Sequence, residues 1–210
     1  RNIVDETVYS TLQLSFANNI PLLCIDNRMC ELAFLSGCPA ANMKAIVREA
    51  LSFLSHEERI QSIRTGLVAG TPVPILYTDI IELSRSPEPD KTYLVFKFME
   101  KYGDNLGETG EPLNYLTDIV RNITAVAYID GSIFSTSPRY YGYAKHAFNL
   151  CCRSAMKVLK GETAEQRFAT LIYSVVNTPS RTSKYVNFVT YLACDFAEGH
   201  FLDFDACNQA

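Results

Sequence analysis

The chain has 210 residues, 48% of them apolar, and its 19 Lys and Arg stand against 23 Asp and Glu for a formal net charge of −4. That length supports one well-buried core, and the mildly acidic balance excludes a strongly basic nucleic-acid-binding module. No apolar run approaches the roughly 20 residues a membrane helix needs, so no membrane insertion is expected.

Residues 7–16 (T-V-Y-S-T-L-Q-L-S-F) alternate in part between apolar and polar side chains and read as a first strand. Asn18 and Asn19 turn the chain into residues 20–25 (I-P-L-L-C-I), a short buried strand ending at Asp26. Residues 29–35 form one or two helical turns, stopped by Gly37-Cys38-Pro39. Met43, Ile46, Val47, Ala50, Leu51 and Leu54 recur at spacings of three and four, the pattern of a helix with one buried face. Ser55 and Glu58 match the capping-box spacing at the start of another helix, expected to end near Gly66.

Residues 73–81 (V-P-I-L-Y-T-D-I-I) read as a strand or an extended docking segment, and 84–90, with two prolines, as a loop. Residues 92–99 (T-Y-L-V-F-K-F-M) and 122–129 (N-I-T-A-V-A-Y-I) are rich in β-branched and aromatic residues. They read as the two central strands, the second turning at Asp130-Gly131. Between them 101–112 carries three glycines and reads as an exposed loop, while 113–120 fits a short helix or a strand. Residues 144–159, 163–176 and 185–196 show helical apolar spacing, with Thr163 a plausible cap and Pro179 a break. Strands and a helical pair come first, then more strands, then helices. This predicts a single α+β domain over residues 1–210, with a mixed β-sheet and a helical C-terminal half.

The seven cysteines include no C-x-x-C pair, and their apolar flanks read as buried thiols. A secreted, disulfide-bearing chain is the alternative, weakly matched by the sequon at Asn122. The chain begins with Arg1, which reads as a processed product or a fragment and leaves secretion and a host-cell cytoplasm both open.

Three sets of residues carry candidate chemistry. Asp26, Asp79 and Asp130 each close an apolar run, and side by side at strand ends they would hold Mg²⁺ or Mn²⁺ as metal-dependent nucleases and phosphatases do. The plainer reading is that Asp makes turns there. Tyr140, Tyr141 and Tyr143, beside Arg139 and Lys145, would stack on a base and meet phosphate, or else form a packed aromatic corner. His56, His146 and His200 share no metal-ligand spacing.

In order along the chain, residues 43–51 (M-K-A-I-V-R-E-A-L), 72–76 (P-V-P-I-L), 92–96 (T-Y-L-V-F), 122–128 (N-I-T-A-V-A-Y) and 170–181 (T-L-I-Y-S-V-V-N-T-P-S-R) occur at intervals that resemble those of the ribosome-inactivating RNA N-glycosidases. The resemblance covers about half the chain. It implies a glycosidase-like site at Tyr140, Tyr141 and Arg181, with the family's catalytic glutamate falling on Thr178 and its first active-site tyrosine on Thr124. The function expected from it is a nucleotide- or RNA-directed, toxin-like hydrolase domain, in degenerate form. The alternatives are the metal-dependent nuclease or phosphatase and a non-catalytic viral or secreted protein-interaction domain. Twelve Tyr and twelve Phe suit the last, because rigid rings serve interfaces as well as cores.

Overall fold

The computed structural model describes residues 6–24, 27–69, 75–133, 138–177 and 182–203. Ten α-helices account for most of them, and the described chain is 80% helical. Two compact units divide at Ser62.

The first unit holds α1 (Glu6–Asn18), β1 (Leu22–Cys24), α2 (Asn27–Leu35), β2 (Ala40–Asn42) and α3 (Met43–Ser52). Residues 7–16, expected as a strand, lie inside α1, where partial alternation over so few residues is too weak a signal to set a strand. Asn19 turns the chain in the left-handed region (φ 51°), and Ser15 Oγ donates to the Ile20 carbonyl at 2.6 Å. The strands pair in parallel, Leu22 opposite Ala40 and Cys24 opposite Asn42. They form a sheet of three residue pairs. Cys38 Sγ reaches the Leu12 carbonyl at 3.6 Å, tying the end of α2 to α1. The capping box holds at the start of α4 (His56–Ala69): Glu58 accepts from Ser55 N–H at 2.8 Å, and Ser55 Oγ accepts from Glu58 N–H at 3.3 Å. The helix runs through Gly66 to Ala69 and across the unit boundary.

The second unit is a helical bundle of α5 (Tyr77–Ser84), α6 (Pro89–Tyr102), a 3₁₀ segment (Gly103–Thr109), α7 (Pro112–Ile133), α8 (Pro138–Val158), α9 (Ala164–Val176) and α10 (Ser183–Gly199). Helix α8 packs against α6, α7, α9, α10 and the 3₁₀ segment. It can do so because Ala144, Ala147, Cys151, Cys152, Ser154 and Ala155 are small and buried, letting neighbours approach closely. Gly103 shows how close: a Cβ there would overlap Ser154 Oγ on α8 and crowd Met99 Cε.

The mixed α+β sheet expected from the sequence is not the fold. Residues 92–99 lie inside α6 and 122–129 inside α7. On α6 the buried set is Leu94, Val95, Phe98 and Met99, and on α7 it is Leu116, Ile119, Val120, Ile123 and Ala127. Spacings of three and four place each set on one helical face. β-Branched and aromatic content favours strands only weakly, and burial of a helical stripe outweighs it. Asp130-Gly131 continues α7 instead of turning, and residues 77–81, read as extended, open α5. Residues 103–109, read as an exposed loop, wind into 3₁₀ turns that bury Leu106. The resemblance to ribosome-inactivating N-glycosidases falls with the sheet, since the blocks matched to that family's strands are helices.

Candidate functional site

Asp79 is 1% exposed in the first turn of α5, where Oδ2 accepts from the Leu76 N–H at 3.0 Å. It ties down an otherwise unpaired helix-start donor. Asp26 and the side chain of Asp130 lie outside the described residues, although the Asp130 backbone is helical. Asp79 and Asp130 therefore sit inside helices and end no strand. Among the described residues no group of three His, Cys, Asp or Glu side chains converges to hold a metal ion. The metal-dependent nuclease or phosphatase reading is corrected on both grounds.

Tyr140 is 1% exposed, in a cluster with Ala127 of α7 and Ala144 of α8. Tyr141 is half-buried and, with Thr124, Lys145 and Phe188, lines a shallow cleft between α7, α8 and α10. Arg181 lies outside the described residues. The cleft has room for about one water molecule, far short of a small-molecule site. Lys145, at its edge, pairs with Asp195 at 2.9 Å, and that hydrogen bond raises its pKa. Beneath it Tyr185 Oη and Thr124 Oγ1 lie 2.6 Å apart, and Thr124 donates onward to the Val120 carbonyl at 2.6 Å. This satisfied polar chain links α10 to α7. Asn122, the candidate glycan acceptor, is half-buried in mid-helix and donates to Ser84 Oγ at 2.9 Å.

The thiols of Cys151 and Cys152 are fully buried, and burial pushes both pKa values up, away from the thiolate a nucleophile needs. His200 stacks on Phe196 at 4.0 Å, and His146 packs its ring 5.4 Å from Phe96. Tyr77 donates to Asp118, which also lies beside Arg121, and burial with that hydrogen bond pushes the Tyr77 pKa to about 12.

The feature that sequence reasoning missed is on the first unit. Eleven of the seventeen large apolar residues standing exposed among the described residues precede Ile63. Phe34 is 75% exposed, Leu35 83% and Phe53 81%. On α1, Tyr9, half-buried Leu12 and Phe16 make a stripe at i, i+3 and i+7. The Phe16 ring lies 3.7 Å from where a Cβ on Gly37 would sit, so the stripe adjoins the residues that follow α2. Apolar side chains grouped on a surface, as Phe16 is with the residues that follow α2, mark interaction sites. The helical spacing of Tyr9, Leu12 and Phe16 was the available signal, and it is obscured by the intervening Leu14.

No protein family, curated protein or solved structure compared with the chain matches it. No helix among the described residues is long and apolar enough to cross a membrane.

Proposed function

We propose that residues 1–210 act as a non-catalytic, helical protein-interaction domain whose contact surface is the apolar side of the first unit. The exposure of Tyr9, Phe16, Phe34, Leu35 and Phe53 within 62 residues supports this reading. In the second unit the small cleft, the buried Cys151 and Cys152 thiols and the lack of a metal-holding cluster among the described residues match it. The corrected hydrolase readings required converging strand-end carboxylates or a glycosidase sheet, and the described residues form neither.

A photo-crosslinking amino acid in place of Phe16, Phe34 or Phe53, in cells making the chain, tests the proposal. Discrete covalent adducts to protein are expected from these positions and none from Tyr173 or Tyr191, which are exposed on the second unit. Folded chains giving no adduct from the first set would overturn it.

A further inference from the structure

We infer that the partner covering the apolar side of the first unit is a second copy of this chain; the inference rests on the interaction reading above. Two observations favour self-association over a foreign partner. The first is charge. Residues 7–25, which include nearly all of α1 and the whole of β1, contain no Asp, Glu, Lys, Arg or His. Two-fold docking sets a surface against itself, and any charge near the axis would meet its like. A charge-free run escapes that repulsion, and it offers an acidic or basic partner nothing to recognise.

The second is shape. Tyr9, Leu12 and Phe16 form a single stripe along α1, the arrangement with which one helix packs its side chains into the grooves of an identical helix. Short β1 and β2 follow Pro21 and Pro39, which, with only three residues in each strand, disfavours pairing at the sheet edge and leaves the helical face as the contact.

Sedimentation equilibrium of the purified full chain across the micromolar range is the test. The mass should rise with concentration from 23.5 kDa towards about twice that value. Phe16→Glu combined with Leu35→Glu should hold the chain at 23.5 kDa with its helical circular dichroism unchanged, because both side chains are already exposed. Tyr173→Glu on the second unit should leave self-association intact. A wild-type chain that stays at 23.5 kDa throughout, or a double variant that associates as tightly as wild type, overturns the inference. If the double variant loses helix, a photo-crosslinker at Phe34 in the otherwise unaltered purified chain decides: an adduct of twice the chain mass supports self-association, and its absence overturns it. Adducts in cells with other proteins, from a chain that is monomeric when pure, would remove the second copy and leave the interaction reading standing. No adduct of either kind would remove both.

Discussion

Gly103 sits where the 3₁₀ segment passes over α8, and the space a side chain would need is filled by Ser154 and Met99. Ser154 Oγ can turn aside for a methyl group but not for a branched side chain, so Gly103→Val should destabilise the chain by about 1–3 kcal/mol. Urea unfolding would read it as a lower midpoint at unchanged slope. A second residue-scale consequence concerns alkaline pH. Tyr77 ionises near 10 when unfolded and near 12 when folded, because burial and the hydrogen bond to Asp118 oppose its phenolate. Burial raises Tyr115 as well, with the neighbouring Tyr77 adding to it. A raised pKa means the folded state holds its proton more tightly. The associated stability is complete below pH 10 and is lost as pH rises from 10 towards 12. Ultraviolet titration should show Tyr77 ionising above the ordinary range, and Asp118→Asn should lower its midpoint. A Tyr77 midpoint near 10 in the wild type would contradict the geometry.

At the scale of elements, the helix ends make the sharpest claims. Asp79→Ala should cost about 1–2 kcal/mol, because the Leu76 N–H loses its acceptor at the start of α5. Thr163→Ala should cost about 1 kcal/mol, since its side chain accepts from the Gln166 N–H at 3.2 Å at the start of α9. Thermal unfolding of both variants checks these values, and no change in either would contradict the capping roles. The same ends show what could be read in advance. Ser55 with Glu58, and Thr163 three residues before Gln166, are local signals whose partners lie within one turn, and both caps form as their spacing implies. Helices α3, α9 and α10 were legible because each stripe is uninterrupted. Helices α6 and α7 were not. Their β-branched and aromatic residues fit a pleated surface equally well, and only the packing of Leu94 and Phe98, or of Ile119 and Ile123, against neighbours decides between periods. Strand β2, reading Ala-Ala-Asn, has almost no local signal and exists through its pairing with β1. The stripe of Tyr9, Leu12 and Phe16 was there to be read, but not its exposure, which depends on which apolar residues find a partner.

At the scale of the whole molecule, the two units divide the work of the chain. The second encloses its apolar residues around α8, while the first leaves Phe16, Phe34, Leu35 and Phe53 in solvent. That asymmetry is the basis of the interaction reading, and association is where it should register. Hydrogen exchange of the intact chain, compared between dilute and concentrated solution, tests this most directly. The account predicts that backbone amides of α1 and α2 exchange more slowly as concentration rises, while those of α7 and α8 do not change. Equal exchange in α1 and α2 at both concentrations, or slowing confined to the second unit, would contradict self-association through the first unit.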